Sequence, residues 1–431
     1  MNNNTDVIYD AKQLGTGKVL ILGLQHMFAM FGSTVLVPLL TGLSVSTTLL
    51  FAGLGTLLFH ILAKGKVPAF LGSSFAFLGG YAAVAPLLED GSSNVEMIPY
   101  ACFGVACAGL VYLVMAGLIK LFSAEKVMKF FPPIVTGPII IAIGLTLSQS
   151  AIDSCSTNWP IALVAIVVVI LCNVFGKGMI KIVPILIGVV ASYVIGIFMG
   201  EVDFTGVANV QWIGLPIEKE YTIFAMFGEN FNASLLVTSI ITIVPIALAT
   251  VVEHIGDISA ISSTTGKNYI KEPGLHRTLL GDGLATIMAS IFGAPANTTY
   301  GENTGVLNLS KVYDPFVVRL AAIFAIIFSF CPKFAAVIQA MPTATVGGIS
   351  LILYGMISAV GVRNVVESQV DFTRTRNVII AALILVLSIG IKYSAAGCIA
   401  FQIGSITISL SGLAVGAIVG IVLNAILPDK E

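Results

Sequence analysis

Charge is what this chain has least of. Only 10% of its 431 residues are Asp, Glu, Lys or Arg, against roughly 25% in soluble domains. Hydrophobic residues make up 57% and mean hydropathy is +1.00. That balance excludes a soluble globular domain, and apolar runs long enough to cross a hydrocarbon core of about 30 Å recur from Val19 to Leu427. Paired cysteines are also missing. Cys102, Cys107, Cys155, Cys172, Cys331 and Cys398 form no C-x-x-C pair and no set within one outside loop, so they read as packing residues. A net charge of −1 gives no basic field for nucleic acid. The polar start "MNNNTDVIYDAKQLGTGK" precedes an apolar run that is too long for a signal-peptide core and has no small-residue cleavage site, so the first span is expected to stay in the membrane. No Lys or Arg lies well inside a span, which argues against an anion pathway. No metal cluster, Ser–Lys pair or aspartyl dyad with catalytic spacing stands out, so neither an enzyme nor a cofactor is expected.

What is present is a series of spans. Eleven are clear, at 19–40, 47–63, 98–121, 134–149, 161–175, 180–199, 234–255, 316–331, 343–361, 377–391 and 406–427. Three weaker stretches, 67–87, 277–293 and 297–311, are interrupted by Gly, Ser, Thr or an acid, and bring the total to fourteen. Charge tests that number independently. With the N-terminus in the cytoplasm, only Lys219, Lys333 and Lys392 of the 21 basic residues fall outside. A wrong span count would scramble that bias. Both termini are therefore expected to be cytoplasmic, in a multi-pass protein of the cytoplasmic membrane, with 201–232 as a long external loop.

The chain repeats itself. "PAFLGSSFAFLGG" from Pro68 aligns with "PANTTYGENTGVL" from Pro295, placing Phe75 over Glu302. "LQHMF" from Leu24 aligns with "VEHIG" from Val252, and "FPPIVTGPI" from Phe131 with "MPTATVGGI" from Met341, in the same order. Two halves of seven spans follow. Seven is odd, so the second half enters the membrane with opposite polarity, the inverted-repeat plan of many secondary transporters. The predicted fold class is thus an all-α polytopic membrane protein of fourteen segments in a 7+7 inverted repeat. Two short antiparallel β-strands are expected in the interrupted third and tenth spans, where Thr298, Thr299 and Tyr300 favour extended backbone and each strand continues into a half-helix.

Four acids remain inside spans: Glu253, Asp257, Asp282 and Glu302. A carboxylate in mid-membrane costs about 2.5–3.5 kcal/mol on insertion scales, so each needs a partner or a task. Glu253 and Asp257 are one turn apart on one helix face. Their mutual repulsion lets one hold a proton near neutral pH, a device for proton coupling. Asp257 could equally bond to Ser or Thr hydroxyls. Asp282 lies near the inside end of its span, where a solvated or helix-packing role suits it as well. His26 and His254 read as interhelical hydrogen-bonding residues.

Four motifs, "QH" at Gln25 and His26, "EHIGD" at Glu253 to Asp257, "PGLHR" at Pro273 to Arg277 and "NTTYGENTG" at Asn297 to Gly305, carry a full-length resemblance to the nucleobase–ascorbate transporter family. The acid in "YGEN" is similar to the bacterial members that carry uracil, whereas purine and xanthine members have glutamine there. The resemblance implies a core domain and a gate domain, a homodimer, and import of a nucleobase with protons through the lipid bilayer. It implies core spans in 1–130 and 233–331, gate spans in 131–200 and 332–431, and the external loop 201–232 between the halves. It assigns substrate contacts to Phe75 (stacking), Glu253, Gly301, Glu302 and Tyr354, while the reading of the span acids themselves places proton coupling on Glu253, Asp257 and Glu302. One position departs: the uracil-carrying members have histidine where this chain has Asp257, as purine members often do, and Asp282 is also purine-like.

The hydrogen-bonding chemistry suits uracil in its own right. Its two N–H donors and two carbonyl acceptors surround a flat ring, so carboxyl groups and backbone amides can satisfy the edge while an aromatic covers the face. A xanthine or other purine symporter is the alternative within the same fold.

Overall fold

The broken segments dictate how the rest must pack, because backbone N–H and C=O groups freed from a helix inside a membrane have to find partners within the protein. In the computed structural model, which describes residues 7–88, 91–177, 180, 183–227, 231–403 and 406–428, the two segments find each other. Strand β1 (Leu71–Ser73) pairs antiparallel with β2 (Asn297–Thr299), matching Leu71 with Thr299, Gly72 with Thr298 and Ser73 with Asn297. The ladder extends by one bond at each end, Tyr300 N donating to Phe70 O at 3.0 Å and Ser74 N to Ala296 O at 2.8 Å.

Helices account for the remaining spans. The first half comprises α1 (Thr16–Thr41), α2 (Val45–Leu62), the half-helix α3 (Leu78–Val84) reached from β1 through a 3-10 turn at Phe75–Phe77, and α4 (Ile98–Phe122). It ends with α5 (Pro133–Ser156), α6 (Trp159–Phe175) and α7 (Pro184–Phe198). The second half comprises α8 (Ala233–Thr265, with a 3-10 turn at Val244–Ile246), α9 (Leu275–Ile291), the half-helix α10 (Gly301–Ser310) and α11 (Pro315–Ser329). It ends with α12 (Thr343–Glu367), α13 (Thr375–Lys392) and α14 (Gly412–Ile426). Among the described residues seven helices are long and apolar enough to cross a membrane unaided. The interrupted third and tenth segments and the shorter apolar helices complete the fourteen. Prolines open α5, α6, α7 and α11 at the first turn, where a missing N–H costs nothing.

Packing follows the inverted repeat. Advancing every span by seven converts the α4–α9 contact into α11–α2, and α6–α7 into α13–α14, and all four pairs are in contact. The α5–α12 pair, the largest interface, maps onto itself. It runs antiparallel: a Cβ on Gly137 would lie 2.2 Å from Val365 Cγ2, and one on Gly144 2.2 Å from the Tyr354 carbonyl oxygen. Glycine there permits a backbone approach that any larger residue blocks, the usual route to tight helix contact in lipid. The outward faces stay apolar, with Leu110, Val114 and Leu121 exposed on α4 and Leu163, Val167 and Val174 on α6, as surfaces bathed by lipid require.

Two features go beyond the predicted elements. Strand β3 (Cys398–Ile403) pairs antiparallel with β4 (Ile406–Ser411), so the last span begins at Gly412 and not at 406. The stretch "ITISLS" is apolar enough to merge with the helix that follows, but its alternation of β-branched and small polar residues has the strand period. The segment after α11 also turns sharply, the helix Pro332–Gln339 lying at 86° to it. Off the membrane-spanning part, Lys66 pairs with Glu272 and holds that carboxyl below its usual range by hydrogen bond and charge.

Candidate functional site

Side-chain hydrogen bonds fasten the strand crossing to itself and to the helices around it. Thr56 Oγ1 on α2 accepts from Leu71 N at 2.9 Å, and Tyr300 OH donates to Ser73 O at 2.7 Å. Thr286 Oγ1 on α9 donates to Asn297 O at 2.8 Å, and Asn297 Nδ2 donates to Phe51 O at 2.9 Å. Gly72 has to be glycine, because a Cβ would lie 2.4 Å from the Tyr300 ring and 2.7 Å from Thr34 Oγ1. A rigid frame results, with β2 running directly into α10.

The N-terminus of α10 carries the chemistry. Its N-cap, Tyr300, gives the helix no side-chain cap, so the first-turn N–H groups at Gly301 and beyond form a donor-rich edge that favours an acceptor such as a carbonyl oxygen. Gly301 is exposed, and a Cβ there would be 3.4 Å from Asp257 Oδ1. Glu302 occupies the first turn of the same helix; its side chain lies outside the described residues.

Most of the residues expected at the site fall into two adjoining clusters. Phe75 is buried at the turn after β1 and meets Tyr354 of α12 edge-on, ring centroids 5.6 Å apart at 81°. Asp257, on α8, accepts from Thr299 Oγ1 at 3.0 Å and stands beside Gly301. Glu253 is half-buried one turn earlier on α8. The strand pair joins the clusters. A small cleft, open at one end, reaches Phe75 and is lined by Gly79, Thr146, Leu147, Ile246 and Leu413.

Of the two roles open to Asp282, the solvated one is excluded and the helix-packing one fits: it is fully buried, and its Oδ2 lies 2.8 Å from His254 Nδ1, also fully buried. An acid so enclosed needs a partner, and the histidine of "EHIGD" supplies it from α8. Thr299 Oγ1 is 3.5 Å from the same nitrogen, so Asp282, His254, Thr299 and Asp257 form a continuous polar chain. The sequence reading gave His254 an interhelical bond but did not pair it with Asp282. Neither the repeat nor a spacing rule links these two residues. Among the described residues no three His, Cys, Asp or Glu side chains are grouped to hold a metal.

Known proteins bear on this geometry. The model of a permease family matches residues 17–397. The uracil permease of Bacillus caldolyticus is 40% identical over 426 residues, covering 96% of this chain and 93% of the relative. The uracil permease of Escherichia coli (strain K12) is 37% identical over 417 residues, covering 94% and 90%. The putative pyrimidine permease RutG of the same strain is 35% identical over 440 residues, covering 100% and 94%. Among solved structures, SLC26A9 superposes with a TM-score of 0.66 at 12% identity, covering 97% of this chain and 66% of that one. The transmembrane domain of the cyanobacterial bicarbonate transporter BicA gives 0.59 at 16%, covering 88% and 97%. At such identities these structures establish a shared fold and no shared solute.

Proposed function

We propose uracil, taken up with protons, as the cargo of this chain, which belongs to the nucleobase–ascorbate transporter family of permeases. The observation that carries the reading is the crossing of the two interrupted spans. Aromatic Phe75, the open N-terminus of α10 at Gly301 and the acids of α8 all border one frame of fixed backbone. The frame matches the solute: a ring face for Phe75, carbonyl oxygens for backbone N–H groups, and ring N–H donors for Glu253 and Glu302. A solute lacking that donor pattern would leave a carboxyl of the site unpaired, at a cost of roughly 1–3 kcal/mol. Specificity thus comes from polarity more than size.

Transport follows from alternating access. A proton from outside neutralises one of Glu253, Asp257 and Glu302, and uracil enters between the strand-bearing segments. The core domain (spans in 1–130 and 233–331) then moves against the gate domain (spans in 131–200 and 332–431), leaving 201–232 as the external loop. Phe75 and Tyr354 meet across that boundary, and the cleft runs along it. Both termini are cytoplasmic in this reading, the protein lies in the cytoplasmic membrane, and its unit is a homodimer. The skew of basic residues supports the orientation.

Asp257 and Asp282 are the specific reason to keep xanthine as a second reading. Uptake of labelled uracil into proteoliposomes, challenged with excess unlabelled uracil, xanthine or uric acid, separates the two. Uracil alone should compete effectively. Equal competition by xanthine would move the assignment to the purine branch.

A further inference from the structure

The buried pair of Asp282 and His254 has no task in the transport scheme above, yet its geometry controls a residue that does. His254 Nδ1 lies at pairing distance from Asp282 Oδ2, 2.8 Å, and an imidazole beside a carboxylate ordinarily turns its N–H toward it. With the proton on Nδ1, that nitrogen is a donor and cannot accept. The same nitrogen stands 3.5 Å from Thr299 Oγ1, whose hydroxyl is directed instead to Asp257 Oδ2 at 3.0 Å. Phe59 of α2 lies edge-on to the imidazole, which closes the site from that side.

We propose that Asp282 and His254 are positioning residues forming a tautomer lock: by occupying Nδ1 they keep the Thr299 hydroxyl turned to Asp257 and so set the pH at which Asp257 exchanges its proton. The inference rests on the reading of Asp257 as a proton-coupling group. A hydroxyl donating to a carboxylate favours its ionised form. Once Nδ1 becomes an acceptor, the hydroxyl can turn to it and Asp257 loses that support. The other groups around Asp257 are fixed in kind. Glu253 shares its helix, Tyr112 of α4 feels the charges of Asp257, Glu253 and Asp282, and Glu302 sits in the adjoining first turn of α10. The helices α5 and α14, packed on α8, present apolar Ile139, Ile143 and Leu413.

Two readouts test the lock. The chain has four histidines, few enough to assign their ¹⁵N resonances by single replacements. Nδ1 of His254 should be protonated in the wild-type protein, and Asp282→Asn, whose amide can donate to Nδ1, should move the proton to Nε2. The pH midpoint of uracil uptake should rise by about one unit in Asp282→Asn, as expected when a hydrogen bond to a carboxylate is lost. The nearly isosteric Thr299→Val should give the same rise with the His254 resonances unmoved, and Thr299→Ser should restore the original midpoint. In an Asp257→Asn background Asp282→Asn should cause no further shift. A wild-type Nδ1 without a proton overturns the lock, as does a midpoint that Thr299→Val leaves in place while wild-type uptake is pH-dependent. Wild-type uptake indifferent to pH would instead overturn the coupling reading on which it rests.

Discussion

In the proposed reading Glu253 and Glu302 are the side chains on which recognition turns, because carboxyl groups near the middle of a membrane can both accept from ring N–H donors and carry a proton. Replacing either by Gln keeps the shape and removes the charge. Each change should weaken uracil binding by on the order of 1–3 kcal/mol, measured by titration calorimetry in detergent; full affinity in both would remove them from the site. Phe75→Ala should weaken binding and leave the pH profile of uptake unchanged, since the ring stacks and holds no proton. Gly301→Ala separates fold from function: among the described residues the added methyl meets Asp257 Oδ1 alone, 3.4 Å away, so thermal stability should hold while binding falls. At this scale the sequence was legible where a residue type was costly. Mid-span acids announced themselves, and Asp257 found the threonine hydroxyl that was one of its two readings. The His254–Asp282 pair stayed hidden because it depends on how α8 and α9 pack.

The interrupted spans were legible as elements for a related reason. Pro68 and Pro295 break two otherwise apolar stretches at equivalent places, and extended-favouring threonines follow the second, so paired strands could be expected and β1 and β2 are found paired. Their contact depends on a single small residue. Gly72→Ala drives a methyl into the Tyr300 ring, which is anchored by its own hydrogen bond to Ser73 O. Overpacking of this kind costs roughly 1–3 kcal/mol, and should appear as a lowered unfolding temperature in detergent together with impaired uptake; unchanged stability would mean the strands tolerate separation. The pairing of β3 with β4 was not legible, because hydropathy averaged over a span-length window absorbs six alternating residues into the helix after them. Period, read over a shorter window, distinguishes the two.

Across the whole molecule the repeat could be read before any contact was known, since an odd number of spans per half demands opposite polarity and the basic residues distribute accordingly. The exchange of α4–α9 with α2–α11 is the three-dimensional form of that argument. Motion between the proposed core and gate domains is the functional consequence this reading expects. Thr146 of α5 and Ile246 of α8 both line the cleft. Cysteines at both positions, in a chain lacking its native six, should stop uptake when bridged by a short bifunctional reagent and recover it on cleavage; undiminished uptake in the bridged protein would contradict alternating access. The most direct test of the whole account is an experimental structure with uracil bound. The account predicts the ring against Phe75, with its edge at the N-terminus of α10 and at Glu253. Uracil located outside the crossing of the two interrupted spans would contradict it.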